Sequence, residues 1–350
     1  LQSPRGGHNL ARWLSLWLLV RVVFASGVAK LVSGDPAWTN CTALSVHYQT
    51  QPLPGPLSYY AHQLPDLMQR LSCGAMFLIQ ILGPLLLLAP RRLRHVGALA
   101  IIGLMLAIAL TGNYGYFNLL TAALALLALD DDLLRRWRPV PPSLPAQPAS
   151  RYARILAVLV FALTGSMFVE QKVGRVAAFA PMHTLGNWLS PLRSFNRYGL
   201  FAVMTMERPE LVIEGSMDGR NWKPYELPYK PGDLRRCPSF VAPHMPRLDW
   251  QLWFAALNPK PTRRHSAWLT GLLRGLLTGR EPVVGLFAQV PFEEPPKQIR
   301  IRRYLYRFAG RSEDAWWHRD QPTLYLRPVT LRSENEIIFA QPVDGVGPNP

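Results

Sequence analysis

The chain has 350 residues, 49% hydrophobic and 17% charged, with a formal net charge of +16. That length allows two domains, and an odd set of three cysteines excludes a disulfide framework as the source of the fold. Arginines bracket apolar runs, which fits the positive-inside asymmetry of a membrane protein and argues against nucleic acid as a partner.

The start, Leu1-Gln2-Ser3-Pro4, lacks the charged, apolar and small-residue order of a signal peptide. The chain therefore reads as the continuation of sequence further upstream. Residues 13–32 form the first hydrophobic segment, long enough to cross a bilayer core, with tryptophans near one end. Lys30 sits where its stem can snorkel to the surface. Arg21 is mid-span, where a charge costs about 2.5–3.5 kcal/mol on the insertion scale. It must face protein or a wet cavity, either as an ion pair with a neighbouring helix or in a functional role.

Residues 33–70 are polar, aromatic and rich in proline, and the prolines between Pro52 and Pro65 exclude a long helix. The stretch is expected to lie as an outer loop on the membrane surface. Further hydrophobic segments follow at 71–89, 96–111, 116–129 and 152–169. The segment 116–129 is short for a full crossing, and a half-membrane helix is an alternative. Gly112-Asn113-Tyr114-Gly115 reads as a turn. Arg91, Arg92, Arg94 and His95, and then Arg135, Arg136, Arg138, Arg151 and Arg154, place two loops on the cytoplasmic side. The 33–70 loop, the Gly112 turn and everything after Glu170 then fall on the opposite, periplasmic or lumenal, face. Asn40-Cys41-Thr42 is a glycosylation triplet on that face.

The second half, 171–341, carries a different pattern. Leu211-Val212-Ile213 is a short strand with Glu214 turned away, and Asp218-Gly219 is a hairpin signal before the returning Trp222–Tyr229. His265–Gly279 puts Trp268, Leu269, Leu272, Leu273, Leu276 and Leu277 on one helical stripe, the mark of a core or interface helix. Gln298–Phe308 alternates like a half-buried strand with a solvated arginine row. Thr323–Leu331 is another strand, placed at an edge by Pro328. Residues 342–350 are expected to be disordered. The fold class is therefore a multispanning α-helical membrane bundle, followed by an extramembrane α+β domain with a β-sheet or sandwich-like core.

Two word patterns carry a family resemblance. Residues 34–62 read GDPAWTNCTALSVHYQTQPLPGPLSYYAH, and 207–257 contain ERPELVIEGSMDGRNWKPYELPYKPGD and VAPHMPRLDWQLWFAAL. These resemble the lipase maturation factor family. Gln49 stands where that family commonly has Glu. The resemblance implies a membrane-embedded factor that helps secreted lipases reach their active, assembled state, in the endoplasmic reticulum membrane for characterised members. The arginine- and proline-rich composition favours a bacterial member in an inner membrane. The implied partners are membrane lipid and a secreted, lipase-like client.

Among chemical signals there is no GxSxG, HExxH, P-loop or paired CxxC, and neither metal nor cofactor is expected. Candidates for client binding, or residues of the family words, are Arg21, His47, Tyr48, Pro52, His62, Glu214, Asp218, Trp222, His244, Asp249 and Trp250. His183 is a further isolated histidine. Cys237, preceded by Arg235 and Arg236, is a candidate redox thiol, because positive neighbours lower a thiol pKa. A second reading is a membrane enzyme with its site between Arg21, the His47–His62 loop and the spans. A third is a purely structural membrane scaffold.

Overall fold

The computed structural model describes residues 9–130, 133, 149–174, 176–192, 195, 198–333 and 336–341. The arginines at 135, 136 and 138, residues 139–148 of the proline-rich loop, and the 342–350 tail lie outside them. The chain forms two compact units that do not follow chain order. The first takes Leu1–Leu44, Pro65–Ile108 and Phe117–Met204, and the second takes Ser45–Leu64, Ala109–Tyr116 and Thr205–Pro350. The 33–70 stretch is thus divided between them, and it is helical in short pieces: Pro36–Thr39, Ala43–Thr50 and Pro56–His62. Its prolines begin two of these helices, where a missing N–H costs nothing, and do not leave the chain extended.

In the first unit, four helices are long and apolar enough to cross a membrane: Leu10–Val32, Asp66–Leu86, Arg91–Thr111 and Arg151–Glu170. Ser150 caps the last of these by accepting the Ala153 N–H, and Gly174, at φ 83°, ends its helix. The first and third of the four pack through Leu16, Leu19, Val23, Ala98, Ile101 and Met105, joined by Ala125 and Ala128. Gly97 lies so close to the Gly83 carbonyl that a Cβ there would collide, the kind of small-residue contact that lets membrane helices approach. Many other leucines, among them Leu71, Leu78, Leu99 and Leu156, point outward and are exposed.

The short segment after the Gly112 turn is helical only over Phe117–Leu126. Tighter i→i+3 bonds from Leu127, Ala128 and Leu129 then carry the chain on to Asp130. Asp130 meets Arg91 at 2.6 Å, Arg94 at 2.5 Å and His95 at 3.1 Å. The segment therefore returns to the end from which Arg91–Thr111 set out. Lys30 is buried, not snorkelled, and donates to Gln80 Oε1 at 3.3 Å and to the Ser26 carbonyl at 3.2 Å.

The second unit holds one antiparallel sheet. The strands are β1 (Arg208–Ser216), β2 (Lys223–Tyr225), β3 (Gln298–Phe308), β4 (Trp317–Arg319), β5 (Thr323–Ser333) and β6 (Glu336–Phe339). Their order is β2-β1-β3-β5-β6, with β4 also paired to β3. Of the two expected forms it is a single sheet, not a sandwich. Alternation along β1 sends Leu211 and Ile213 to one face and Val212 to the other. The first face packs on Leu252, Ala255 and Ala256 of the Arg247–Ala256 helix, and on Leu269, Leu272, Leu273, Leu276 and Leu277 of the Arg263–Leu277 helix. The leucine stripe is a core stripe, as its length suggests; each such leucine contributes about 1.5–3 kcal/mol relative to exposure. On the other face Val212 joins Tyr59, Tyr304, Tyr306, Phe308 and Trp317.

Covered on both sides, β1 is buried along its whole length, Glu214 included. Two strand expectations change. The arginine row of β3 is not simply solvated, since Arg300 and Arg302 reach Glu214 at 2.6 and 3.5 Å. β5 is no edge strand, because it pairs with both β3 and β6. Pro328 is tolerated where the β3–β5 register shifts, between the Ile301↔Leu326 and Ile299↔Val329 pairs.

Candidate functional site

The second unit is assembled around a buried charged knot. Arg208 and Glu210 lie two residues apart on β1 and so share a face. The Arg208 guanidinium meets Glu210 at 2.6 Å, and Lys230 Nζ meets the other Glu210 oxygen at 2.6 Å; all three side chains are buried. Arg208 also donates to the carbonyls of Gln49 at 2.7 Å, Gln51 at 2.5 Å and Pro52 at 3.1 Å. Burial pulls its guanidinium below the ordinary range, against the opposing pull of Glu210. One arginine thus pairs with a carboxylate and takes up carbonyls of the proline-broken QPLP segment, whose own strand-like pairing is a bridge from Pro54 to Gly112 and the Asn113 N–H donated to the Leu53 carbonyl.

The same segment is held from other sides. The Trp253 indole donates to the Thr50 carbonyl at 3.1 Å, and Gln49 Oε1 accepts the Phe308 N–H at 3.1 Å. Gln51 Nε2 donates to the Thr111 carbonyl at 2.7 Å, while its Oε1 accepts the Tyr114 hydroxyl at 2.8 Å. Tyr114 Oη also lies 2.9 Å from His47 Nε2, and burial raises its pKa far above the ordinary phenol value. A Cβ at Gly112 would run into the Gln51 amide and the Tyr114 ring, so any larger residue there displaces the Gln51–Tyr114 hydrogen bond. Asn113 Nδ2 donates to the Leu53 and Ser239 carbonyls at 3.2 and 2.9 Å. Its Oδ1 accepts the Val241 and Ala242 N–H groups at 2.7 and 3.0 Å.

Beside this framework an aromatic pocket of about 400 Å³ opens, floored by Tyr59, Tyr60 and Trp316 and rimmed by Arg235, Arg311 and Glu313. The Tyr59 ring meets Trp316 edge-on at 4.7 Å and Phe308 at 5.3 Å. Mixed charges around an aromatic floor suit an apolar or aromatic side chain carrying a polar end. Among the described residues no group of His, Cys, Asp or Glu has the geometry of a metal site.

Residues 4–136 match the family model of the lipase maturation factor transmembrane domain, and residues 194–327 that of the lipase maturation factor C-terminal domain. The chain belongs to the lipase maturation factor family. It is 34% identical to lipase maturation factor 2 of Rattus norvegicus over 441 residues, covering 94% of this chain and 62% of that protein. For lipase maturation factor 2 of Homo sapiens the values are 34%, 93% and 60%. Lipase maturation factor 1 of Bos taurus is 30% identical, with 93% and 63% covered. The chain thus spans about three fifths of the length of these relatives. No solved structure matches.

Set on this lipase maturation factor fold, the residues of the family words are mostly framework. Pro52 offers its carbonyl to Arg208, and Tyr48 offers its own to Gln51 Nε2 at 3.1 Å. Glu214, Arg300 and Trp222 form a stack, with the Arg300 guanidinium 4.2 Å from the indole centroid. Asp218 organises the loop after β1: its carboxylate accepts the Asn221 and Arg220 N–H groups at 2.7 and 2.8 Å, which holds it well below the usual range. That loop is longer than a two-residue hairpin, with Gly219 at φ 71°. Asp249 is buried, its pKa raised by burial, and it accepts the Tyr229 and Lys230 N–H groups at 3.2 and 2.8 Å. Trp250 meets Tyr114 edge-on at 6.3 Å, and His244 is exposed beside Tyr229.

The remaining candidates are divided between the two units. Arg21 belongs to the first unit, with its guanidinium 5.9 Å from the Trp17 ring and 5.5 Å from that of Tyr198. His47 and His62 belong to the second unit, His62 packing on the Phe308 ring at 5.4 Å. His183 pairs with Glu170 at 2.5 Å.

Burial pushes the Cys237 thiol up, the opposite direction to the one its arginine neighbours suggest in sequence. Its two arginines are engaged elsewhere, Arg235 with Asp314 and Arg236 with the Leu227 and Lys230 carbonyls. Sequence reading also passed over Arg208, Glu210, Lys230 and Asn113. A glutamate and an arginine inside a strand that buries both faces are a usable signal, but only once that burial is known.

Proposed function

We propose that this chain is a membrane-embedded maturation factor that assists a secreted, lipase-like client by holding it, not by chemistry. The observation that carries this is the order of the two family domains along one chain, the transmembrane and the C-terminal. The four apolar helices and the aromatic pocket of the second unit are in keeping with it. In this reading the four apolar helices anchor the protein. The outer unit faces the periplasm of a bacterial host, or the lumen of the endoplasmic reticulum in a eukaryotic one. A part-folded client offers apolar side chains to the Tyr59–Tyr60–Trp316 pocket.

The test is deletion of the gene in its own host, followed by profiling of secreted and envelope proteins and complementation with wild type or Trp316→Ala. The reading predicts that secreted hydrolases lose activity while their transcripts persist, and that wild type restores them. Trp316→Ala, if it accumulates to wild-type level, restores less. An unchanged secreted proteome with a lipid or small metabolite building up would replace it with a membrane-enzyme reading.

A further inference from the structure

Thr111 ends one candidate span and Phe117 opens the next helix, so the Gly112–Tyr116 turn is tied by covalent bonds to the end of a membrane hairpin. A whole segment of the second unit hangs on that turn. Asn113 grips both sides of Phe240 through Ser239 and Val241, and Met245 lies against Gly115. Tyr114 meets Trp250, which in turn packs on Phe254 at 6.2 Å. The residues facing outward around the turn are large and apolar: Tyr116 is 65% exposed, Phe240 56%, Phe254 49% and Met245 47%. Arg247 stands exposed beside them.

We propose that Phe240, Met245 and Phe254 form an interfacial seat, which inserts into the headgroup–acyl boundary of the leaflet that the Gly112–Tyr116 turn faces. The occupant is the phospholipid surface, and the continuity of the turn with the spans decides it. The polar zone of a bilayer adds about 5–7 Å beyond the hydrocarbon on each face. Asn113 is two residues beyond Thr111, so whatever it grips starts inside that zone. Aromatic residues and methionine with a flanking arginine are the composition that such a boundary accepts. A soluble client would have to enter the headgroup layer to reach them. The seat also gives the Asn113 clamp a purpose, since it holds 239–242 at the depth of the turn.

The test is photo-crosslinking of the full chain in nanodiscs of phosphatidylcholine and phosphatidylglycerol. Benzoylphenylalanine replaces Phe240, Met245 or Phe254 one at a time, and Leu324 of β5, exposed but remote in sequence from the turn, serves as control. Folding of each variant is checked by size exclusion, and three independent positions guard against the loss of one. Lipid adducts at the seat positions and none at Leu324 are expected, with loss of the Phe240 adduct in the Asn113→Ala background. Equal lipid labelling at Leu324, or no lipid adduct at any folded seat variant, overturns the proposal. So do adducts that form to a co-expressed secreted lipase in place of lipid, which would make the patch a client surface and leave the maturation reading standing.

Discussion

The two units spend the same side chains in opposite ways. In the first, leucines such as Leu71, Leu78, Leu99 and Leu156 face outward, while Arg21, Lys30, Gln80 and Glu170 are buried. In the second, leucines line one sheet face, and the buried charges sit against ions or backbone donors, as at Arg208–Glu210–Lys230 and at Asp249. The difference follows from the solvent each unit answers to. A lipid-facing helix gains nothing by hiding leucine and must keep polar groups off the hydrocarbon. A water-facing sheet gains by hiding leucine, and it admits ions to its interior only with partners.

The sharpest way to break this contrast is at the charged knot. Arg208→Ala leaves Glu210 with Lys230 alone and strips donors from three carbonyls, a loss of about 3–5 kcal/mol. Hydrogen exchange should show β1 and the Gln49–Pro54 segment opening together. A change below about 1 kcal/mol would mean that the knot is ornamental.

Next come two matched leucines. Leu99→Arg, exposed on a span, should cost about 2.5–3.5 kcal/mol of membrane insertion. Leu324→Arg, equally exposed on β5, should shift stability by no more than about 0.5 kcal/mol. Membrane integration by carbonate extraction reads the first and thermal unfolding the second. Equal effects would dissolve the distinction between the units.

Asn113→Ala removes both ends of a buried amide clamp, and a loss of about 1–3 kcal/mol is expected, confined to exchange at 239–242 and 53–54. A loss spread evenly over the sheet would contradict a local clamp.

The smallest effect is on pH. Burial lowers the pKa of His62 below its ordinary 6.5. The unfolded chain therefore binds the proton first, and the stability present above pH 6.5 is lost as pH falls through that value toward the lower folded one. The slope cannot exceed about 1.4 kcal/mol per pH unit from this group. His62→Gln should flatten that part of the profile in the Pro56–His62 helix, and an unchanged slope would assign it to other groups.

Much of the architecture was legible in the residues. Apolar runs of span length, the leucine stripe at 268–277 and the alternation of Gln298–Phe308 each name an element, because burial periodicity is a local property. The family words at 34–62 and 207–257 were legible too, but as words, without the roles of their members. Gln49 illustrates the gap. Its departure from the family Glu names no role in the sequence, whereas its side chain is the acceptor for the Phe308 N–H. Cys237 illustrates another: its arginine neighbours in sequence turn to carbonyls and carboxylates elsewhere, and burial sets the thiol.

By itself, then, the sequence determined which stretches are apolar enough to seek lipid, which alternate into strands, and to which family the order of motifs belongs. Only the tertiary structure decided that residues 45–64 and 109–116 join the sheet unit, and that β1 is buried on both faces. It also decided that β5, with Pro328 inside it, lies between β3 and β6. These outcomes rest on contacts between residues far apart in sequence, such as Arg208 with Gln49 and Asn113 with Val241. No local pattern records them, because a buried polar group needs a partner without specifying where in the chain it comes from.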